Sequence, residues 1–518
     1  MAETETETQV QEPSLTNGKG PGLLEVRNPA TGETVASVPQ NTPEEVTAAV
    51  ERARIAQAEW QAIGFEGRGK ILRRAQKWTT ENADRIATTI VSETGKTFED
   101  AILAEVSYAA AGFGFWAKQA PRYLADEKVS TSNPFVLGRQ LVVRYAPAGV
   151  VGVIGPWNYP LTNSFGDCIP ALAAGNSVVL KPASLTPLTS QLMREGLLAC
   201  GLPEDVYQVV VGPGGSIGGA LIDAVDVVMF TGSTEVGKQV MQRAGKTVTP
   251  VSLELGGKDP MIVLADANLE RAANAAVYYS MQNGGQTCIS IERVYAEAPI
   301  YDQFVAKVEE KVRALRQGAS TGPGTFEVGA ITSPDQGDLV EAHVADAVAK
   351  GARVVVGGER HSERGDFFEP TLLVDVDHSM RCMTEETFGP TLPVMKVADV
   401  DEAIRLANDS PFGLQSSVFT KDLDRGRQIA RRIEAGVCCI NDACINNVAH
   451  ELPMGGWKES GLGSRHGAAG IRKYTRQQTV VATRFAPNKE LHMYPYSSGK
   501  SNLIKRAIKF LYGRGRRS

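Results

Sequence analysis

Short apolar runs alternate with amphipathic stretches along most of the chain. Runs at 150–154, 177–180, 206–211 and 225–230 each lead into a loop, and the stretch 188–200 between them has helical periodicity. Such runs are typical of strands that are buried on both faces, and helices connect neighbouring parallel strands. The pattern therefore predicts βαβ units and a parallel sheet. Because ligands of such sheets bind at the carboxyl ends of the strands, we expect the four loops to form a binding edge.

A second alternating block extends from 261 to 448, with a predicted helix at 301–317 and a predicted strand at 352–356. Two further segments fit neither block. Residues 129–144 alternate like a hairpin, and 477–484 has the pattern of a single strand. The sequence thus predicts two α/β domains and a small β element.

Length and charge exclude several classes of protein. A chain of 518 residues is too long for one hydrophobic core, and its formal net charge of −5 argues against a nucleic-acid partner. No apolar stretch reaches the length of about 18 residues that a membrane-spanning helix needs. Residues 1–22 lack the basic start and apolar run of a signal peptide, so we expect a disordered tail.

The seven cysteines are scattered along the chain. An odd, scattered set is not typical of a disulfide framework, and reduced thiols predict a cytoplasmic location. Cys438, Cys439 and Cys444 contain no C-x-x-C pair, and the nearest histidine to them is His450. No metal site is therefore predicted.

Cys288 is the most informative cysteine, because it ends the glycine-rich segment 283–288 (NGGQTC) without a neighbouring histidine. Glu254 opens the segment 254–258 (ELGGK) upstream. A cysteine can form a covalent thioester, and a carboxylate can activate the water that hydrolyses it. From these residues alone, an inert buried cysteine and a salt-bridged glutamate stay open as alternatives.

Seven segments together resemble the aldehyde dehydrogenase superfamily, in the order of that family and over nearly the whole chain. Besides the two above, they are 155–160 (GPWNYP), 181–184 (KPAS), 230–237 (FTGSTEVG), 386–390 (ETFGP) and 453–461 (PMGGWKESG). The resemblance implies an α/β fold with a Rossmann-like parallel-sheet cofactor domain, a second α/β catalytic domain and a small β oligomerisation arm.

The domain prediction combines this resemblance with the pattern of elements. It assigns 1–22 to the tail, 23–124 and 146–256 to the cofactor-binding domain, 257–456 to the catalytic domain, 125–145 and 472–486 to the arm, and 487–518 to a basic C-terminal extension.

The resemblance also implies a reaction, the NAD(P)+-dependent oxidation of an aldehyde through a thiohemiacetal and a thioester on Cys288. Glu254 is then the base for hydrolysis, and Asn158 stabilises the oxyanion together with the backbone N–H of Cys288. Family members that pass the acyl group to coenzyme A usually lack this glutamate, so the expected product is the free carboxylic acid.

The segment 232–239 nearly matches a nucleotide-triphosphate loop, but Gln239 stands where a serine or threonine must hold Mg²⁺. The alternative is a dinucleotide whose pyrophosphate lies at a helix N-terminus. The resemblance favours the second reading, with Gly232 and Ser233 at the pyrophosphate and no metal.

The other residues that the resemblance implies for NAD(P)+ binding are Trp157, Lys181, Ser184, Gly256, Glu386 and Phe388. Lys181 and Ser184 are expected at the adenosine ribose, and Glu386 at the nicotinamide ribose with Phe388 beside the ring. NAD-preferring members often carry glutamate in place of Ser184. We therefore expect NADP+ to be tolerated or preferred.

The substrate prediction depends on two positions near the expected tunnel, Gly166 and Gln282, neither of which is basic. The expected lining is mainly apolar: Tyr159, Phe165, Met281 and Trp457. These residues favour an uncharged aliphatic or aromatic aldehyde. Succinate semialdehyde with NADP+, or another semialdehyde, is the alternative.

Residues 500–518 carry seven basic and no acidic residues, and Ile504, Ala507, Ile508 and Leu511 fall on one helical face. Such a segment can bind an anionic membrane surface as a peripheral contact, and a solvated tail is the alternative. The resemblance further implies a homodimer or homotetramer in which the arm pairs between subunits.

Other classes of function have less support. Gln239 argues against a P-loop phosphotransferase. A cysteine hydrolase needs a histidine partner, and none of the six histidines lies in the seven segments. A binding protein without catalysis is possible, but the presence of Cys288, Glu254 and Asn158 together argues against it.

Overall fold

The computed structural model describes residues 22–133, 136–362 and 365–513. Apart from Gly22, the predicted tail 1–22 lies outside these ranges, and so do residues 514–518 of the basic extension. Over the described ranges the chain folds into parallel sheets flanked by helices, an α/β architecture as predicted.

The strands vary from two to nine residues in length. In chain order they are β1 (Leu23–Arg27), β2 (Thr34–Pro39), β3 (Glu127–Val129), β4 (Arg139–Pro147), β5 (Val150–Ile154), β6 (Ser177–Lys181), β7 (Tyr207–Val209), β8 (Val227–Thr231), β9 (Val251–Glu254), β10 (Asp259–Val263), β11 (Ile291–Glu297), β12 (Arg353–Val356), β13 (Arg360–His361), β14 (Phe367–Phe368), β15 (Thr371–Val374), β16 (Thr391–Val397), β17 (Phe412–Gly413), β18 (Gln415–Phe419), β19 (Val437–Ile440), β20 (Trp457–Lys458), β21 (Gly461–Leu462) and β22 (Thr475–Thr483).

The α-helices are α1 (Pro43–Ala62), α2 (Gly64–Glu81), α3 (Ala83–Thr94), α4 (Phe98–Asp100), α5 (Ser107–Tyr123), α6 (Cys168–Ala174), α7 (Leu188–Ala199), α8 (Gly219–Ala224), α9 (Thr234–Ala244), α10 (Leu269–Met281), α11 (Tyr301–Arg313), α12 (Pro334–Ala349), α13 (Arg381–Thr384), α14 (Val400–Asn408), α15 (Leu423–Ala430), α16 (Gly467–Arg472) and α17 (Ser498–Tyr512). Short π-helical segments at Ala101–Val106 and Pro160–Ser164 also contribute to the site described below.

The first of the two large sheets has six strands in the order β21-β9-β8-β5-β6-β7. Its strands β5 to β9 are parallel to their neighbours, and β21 is antiparallel to β9. All residues of β6 and β8 are buried, because helices cover both faces. This explains the unbroken apolar runs in the sequence, whose predicted ends differ from the observed ones by one or two residues.

The second large sheet has seven strands in the order β12-β15-β16-β11-β10-β18-β19. All neighbours are parallel except the edge strand β12. Its centre is also fully buried, since every residue of β10, β11 and β18 is inaccessible. Apolar residues of α10 and α11 pack against one face, as in the cluster of Met261, Val277 and Phe304.

Residues 22–124 and 147–476 form one compact unit, which contains both large sheets. A second unit comprises the described parts of 125–146 and 477–513. The strands β3 and β4 form the predicted hairpin, and β22 lies on the other side of β4. None of the 15 residues of α17 is buried. The domain boundaries given above stay predictions.

Helices long and apolar enough to cross a lipid bilayer do not occur in the described ranges.

Candidate active site

The carboxyl edge of the first sheet brings together segments that are far apart in the sequence. β5 leads into Trp157 and Asn158, β6 ends at Lys181, β8 leads into Ser233, and β9 ends at Glu254. Because these strands are parallel, their carboxyl ends lie at the same edge. Residues predicted for catalysis and for cofactor binding are therefore neighbours along this edge.

A left-handed turn precedes Cys288. Asn283, Gly284 and Gly285 have φ values of +54°, +63° and +72°. Asparagine and glycine adopt this region at the lowest cost. A Cβ on Gly285 would also collide with the carbonyl group of Gly389. The glycine-rich sequence thus allows the chain to turn between the end of α10 at Met281 and Cys288.

Cys288 is a half-buried free thiol on the wall of a cavity of about 150 Å³. Tyr159 and Gln282 also line this cavity, as expected, and so does a second thiol, Cys444. The remaining wall is largely apolar and includes Leu103, Tyr278, Ile289, Ile445, Val448 and Met454.

Three residues expected in the lining lie elsewhere. Phe165 is buried in an aromatic cluster with Phe113 and Tyr207. Met281 packs in the core of the second sheet. Trp457 is 55% exposed and lies in a two-stranded pair of β17 and β20. Of the four residues expected in the lining, the cavity wall contains Tyr159, and other side chains supply the rest of its apolar surface.

Burial controls the protonation of Cys288. Removal from water is the main cause that raises the pKa of the thiol to about 12. Arg465 lowers this pKa, and the carboxylates Glu386, Asp259 and Glu254 contribute to raising it. Cys288 is therefore a protonated thiol at neutral pH, and its attack on an electrophile has to be accompanied by loss of a proton.

Glu254 is 3% exposed, and its Oε1 has no hydrogen-bond partner among the described residues. Burial raises the pKa of this carboxyl group to about 7, although Arg465 and Lys473 lower it. A carboxylate with this pKa and a free oxygen can take up a proton near neutral pH. Glu254 does not itself line the cavity, but its charge acts on the Cys288 thiol.

Asn158 is buried and bound to the loop that carries the cysteine. Its Nδ2 donates to the carbonyl oxygen of Gln286 at 2.9 Å, two residues before Cys288. The backbone carbonyl oxygen of Asn158 accepts from Lys96 Nζ at 2.8 Å and from Asn283 Nδ2 at 3.0 Å. The amide of Asn158 is thereby held at a fixed position relative to the thiol.

Arg465 is a cavity residue that sequence reasoning missed. Its guanidinium is buried and binds Asp167 with a 2.7 Å contact from Nη2 to Oδ2. Nη1 donates to Asn163 at 3.0 Å, and Nη2 also contacts Thr231. The one signal in the sequence for this buried ion pair is that Arg465 and Asp167 carry opposite charges and each lies in apolar, glycine-rich surroundings. Nothing in their spacing predicts the pairing, because about 300 residues separate them.

The N-terminus of α9 lies open beside Glu254. Ser233 is exposed and caps the helix, since its hydroxyl accepts from Val236 N at 3.4 Å. Gly232 N donates to the carbonyl oxygen of Glu254 at 3.2 Å. A Cβ on Gly232 would come within 2.6 Å of the Phe230 ring. The first turn of α9 and the dipole of this helix form a site that suits a phosphate group.

Lys181 is the last residue of β6, and Ser184 lies in the loop that follows this strand. Lys181 is buried, with Nζ 3.3 Å from the carbonyl oxygen of Pro182. The hydroxyl of Ser184 donates to the carbonyl oxygen of Gly212 at 3.2 Å. Because Ser184 is neutral, this place suits a phosphorylated ribose better than it would if a carboxylate stood beside Lys181.

Gly256 and Glu386 are in close contact, and a Cβ on Gly256 would collide with the Glu386 carboxylate. Gly257 N donates to Glu386 Oε1 at 2.9 Å. Burial, with a contribution from Glu292, raises the pKa of Glu386 to about 8. This carboxyl group is therefore a candidate for hydrogen bonds to ribose hydroxyls.

Phe388 completes this side of the site. Its ring contacts Trp157 edge-on, with the centroids 5.5 Å apart. Its φ is +52°, and Glu292 Oε1 accepts its backbone N–H at 2.8 Å. Together with the α9 N-terminus, Lys181 and Glu386, these features fit a nicotinamide dinucleotide.

The alternative of a metal-dependent nucleotide site gains no support. Gln239 Nε2 donates to Glu235 within α9 at 3.3 Å. In the ranges that the structure describes, no group of three or more His, Cys, Asp and Glu residues could hold a metal ion.

Comparisons with known proteins agree with the predicted superfamily. The family model described as "Aldehyde dehydrogenase family" matches residues 16–480. A provisionally named succinate-semialdehyde dehydrogenase (NADP+) of Mycolicibacterium smegmatis is 42% identical over 456 residues, which cover 88% of this chain and 87% of that protein. The 4,4'-diapolycopene aldehyde oxidase of a Methylomonas species is 38% identical over 500 residues, which cover 95% and 93%.

The fold is confirmed by solved structures. The betaine aldehyde dehydrogenase of Staphylococcus aureus in complex with NAD+ has a TM-score of 0.84 and 32% identity, with 90% of this chain and 92% of that chain covered. The predicted α/β fold and the prediction of an oxidoreductase are thus both correct. The chain belongs to the aldehyde dehydrogenase family.

Proposed function

We propose that this protein oxidises an uncharged aldehyde to its carboxylic acid with NAD(P)+, through a covalent intermediate on Cys288. The observation that carries the proposal is the cavity itself. The Cys288 thiol lines this cavity, and the rest of the wall is mainly apolar. The proposed base, Glu254, is buried near the thiol and has a pKa of about 7.

The first step is the attack of the Cys288 sulfur on the aldehyde carbon, which forms a C–S bond and a thiohemiacetal. Because burial keeps the thiol protonated, a proton leaves as the bond forms. Glu254 is the proposed acceptor of this proton, since its charge acts on the Cys288 thiol. Asn158 uses one N–H for Gln286 and has a second for the oxyanion. The backbone N–H of Cys288 is the other proposed donor.

The residues that would hold NAD(P)+ are Lys181 and Ser184 at the adenosine ribose, Ser233 at the pyrophosphate, and Glu386 at the nicotinamide ribose. The chemistry that this group supplies when bound is the acceptance of a hydride from the thiohemiacetal carbon, which leaves a thioester on Cys288. The NADP+ and NAD+ in the names of the M. smegmatis and S. aureus relatives support this requirement.

Glu254 then releases to solvent the proton that it received from the thiol, which is the net proton that the oxidation produces. In the last step, Glu254 takes a proton from a water molecule that attacks the thioester carbon. The C–S bond breaks, the carboxylic acid leaves, and Cys288 regains its proton. Oxygen from water and the hydride lost earlier balance the conversion of aldehyde to acid.

The neutralisation of Arg465 by Asp167 supports the proposal of an uncharged substrate. It is the one cation among the described residues that line the cavity, and Asp167 already neutralises it at 2.7 Å. A substrate carboxylate would have to compete with this buried pair. The Methylomonas relative is named for a hydrocarbon aldehyde, whereas the name of the M. smegmatis relative supports the alternative, succinate semialdehyde.

Two predictions about assembly and location belong to this proposal. A homodimer or homotetramer would use the exposed strand β22, whose residues 476–483 are all exposed. A cytoplasmic location is in agreement with seven free cysteines. Peripheral contact with a membrane would use α17, which exposes Lys505, Arg506 and Lys509 beside Leu503 and Ile508.

The first prediction concerns the substrate and the nucleophile. With NADP+ and with NAD+, kcat/KM for hexanal and benzaldehyde should exceed that for succinate semialdehyde by at least about tenfold, because an unpaired carboxylate in this cavity is costly to bury. Absorbance of the reduced nicotinamide measures each rate. Cys288→Ala should abolish the reaction.

The matched control is Cys444→Ala, which removes the other thiol of the cavity and should keep the burst of reduced cofactor. Turnover by Cys288→Ala would disprove the mechanism. A preference for succinate semialdehyde would instead favour the alternative substrate.

The second prediction concerns Glu254. Its carboxyl group works as a base only when ionised, so steady turnover should fall by about tenfold per pH unit below a pH of about 7. Glu254→Gln should keep the single-turnover burst, lower steady turnover by about 10²-fold and lose this pH dependence. Stopped-flow and steady-state assays from pH 5 to 9 distinguish the two phases.

Glu93→Gln is the matched control, because Glu93 is also buried, with a pKa of about 8, but binds the N-terminus of α7. It should keep the pH dependence. Loss of the burst in Glu254→Gln would mean that the carboxylate is already needed for thiol attack.

The third prediction is that Ser184→Glu shifts the preference from NADP+ toward NAD+, because a carboxylate near a 2′-phosphate costs about 1 kcal/mol or more. The measurement is the ratio of the two kcat/KM values. Ser184→Ala should leave that ratio nearly unchanged. An unaltered ratio in Ser184→Glu would place residue 184 away from the ribose.

The fourth prediction is that the C-terminal extension binds anionic lipid reversibly. Its basic residues supply about 1 kcal/mol each near an anionic surface, and the exposed apolar residues of α17 add burial. Full-length protein should sediment with vesicles of phosphatidylcholine and phosphatidylserine, less so in high salt, and not with phosphatidylcholine alone.

A form that ends at Gly499 and the variant Lys505→Glu/Lys509→Glu should both stay in the supernatant. Equal sedimentation of all forms, or no effect of salt, would remove the membrane contact and favour a solvated extension.

A further inference from the structure

Lys96 is a fully buried cation that the proposed mechanism does not use. It follows Gly95, whose φ of +72° ends α3. Its Nζ lies 2.5 Å from Glu105 Oε1, and both side chains are inaccessible to solvent. A buried ion pair is costly to desolvate, and well-packed apolar residues often stabilise a fold equally well. The contacts of this pair therefore point to a role beyond stability.

The ammonium group of Lys96 acts on the buried carboxyl group of Asp100, whose pKa it lowers, and it also contacts the segment that contains the proposed oxyanion donor. Nζ donates to the carbonyl oxygen of Asn158 at 2.8 Å. It also lies 3.9 Å from the centroid of the Tyr159 ring, a cation–π geometry. Tyr159 in turn bonds Thr287 at 2.9 Å through its hydroxyl group. One ammonium group thus fixes both residues that follow Trp157.

Glu105 holds the same segment from its other end. Its Oε2 accepts the backbone N–H of Leu161 at 2.7 Å and that of Thr162 at 3.3 Å. These N–H groups belong to the first turn of the π-helical segment Pro160–Ser164, where backbone donors lack partners within the helix. The ion pair therefore clamps residues 158–162 at both ends.

The clamp extends to the cysteine loop through Asn283. Its Nδ2 donates to the carbonyl oxygens of Asn158 and Gln286, at 3.0 and 3.2 Å. Asn158 Nδ2 donates to the same Gln286 oxygen. Loss of Lys96 would leave Asn283 as the remaining described partner of the Asn158 carbonyl.

We propose that Lys96 is a positioning residue, which fixes the Asn158 amide where it can stabilise the oxyanion formed on Cys288. The proposal rests on the proposed function, because it requires Asn158 to be the donor. An oxyanion donor that moves by a fraction of an ångström loses much of its effect, so Lys96 acts on the rate of thiohemiacetal and thioester formation.

The test is a double-mutant cycle on the full-length enzyme with hexanal and NADP+, read as the rate of the single-turnover burst. Lys96→Met should slow the burst by about 10²-fold, the typical effect of losing one oxyanion donor. Asn158→Ala should have a similar effect. If Lys96 acts through Asn158, Lys96→Met in the Asn158→Ala background should slow the burst by less than about threefold.

A second variant separates this role from a structural one. Lys96→Met/Glu105→Gln removes both charges of the pair and leaves the buried Asp100, so the melting temperature should recover in part relative to Lys96→Met alone. The burst should stay slow, because no cation holds the Asn158 carbonyl. Should Lys96→Met fail to fold, this double variant takes its place in the cycle.

The outcomes distinguish the two proposals. No burst from the wild-type enzyme would overturn the proposed function. A wild-type burst rate in Asn158→Ala would overturn the oxyanion role of Asn158, and the positioning role of Lys96 with it, while leaving the proposed function in place. If Asn158→Ala is slow but the Lys96→Met effect persists in full in its background, only the positioning role of Lys96 fails. Recovery of the burst in Lys96→Met/Glu105→Gln would likewise reduce Lys96 to a counter-charge for Glu105.

Discussion

The position of Cys288 depends on the left-handed turn at residues 283–285. Gln286, directly after this turn, is bound through its side chain to Ala330 and Thr332 at 3.2 and 2.9 Å. Its backbone carbonyl accepts from Asn158. The loop is therefore fixed by hydrogen bonds on both sides, and the thiol that follows it stays half-buried on the wall of the cavity. Such an arrangement leaves space at the sulfur for a substrate carbon.

Removal from water is the dominant electrostatic effect in this site. It raises the pKa of Cys288, of Glu254 and of Glu386, and neighbouring charges change these values less. Burial therefore favours the neutral thiol, and it leaves the Glu254 carboxyl group partly protonated and partly ionised near neutral pH. Proton transfer between the thiol, the base and water thus accompanies each covalent step that we propose.

The sequence predicted those parts of the molecule that depend on local patterns. Buried parallel strands such as β6 appear as unbroken apolar runs, and loops at their carboxyl ends contain the motif residues. The segments around Cys288 and Glu254 could be recognised because backbone geometry requires their glycines. The prediction for Asn158 depended most on the family resemblance, because its local sequence, taken by itself, is that of an ordinary turn residue.

Features that depend on contacts between distant residues could not be predicted. Arg465, which lines the cavity, and Asp167 meet only in the folded chain. Phe165 and Trp457 have the composition of a tunnel wall, but one packs into the interior and the other lies on a surface pair of strands. Hydrophobicity predicts that such residues seek burial or a partner. It does not predict which of several apolar surfaces they join.

Two buried ion pairs near the site share one arrangement. In each, a lysine binds one oxygen of a glutamate, and the glutamate accepts two adjacent backbone N–H groups. Glu292, paired with Lys258 at 2.6 Å, accepts from Thr387 and Phe388, each at 2.8 Å.

Glu105, paired with Lys96, does the same for Leu161 and Thr162. Irregular backbone lacks the hydrogen-bond partners that a helix or sheet supplies, and a buried carboxylate can satisfy two donors at once. The lysine offsets the desolvation of that carboxylate. Loops without regular structure can then hold catalytic and cofactor residues as firmly as strands do.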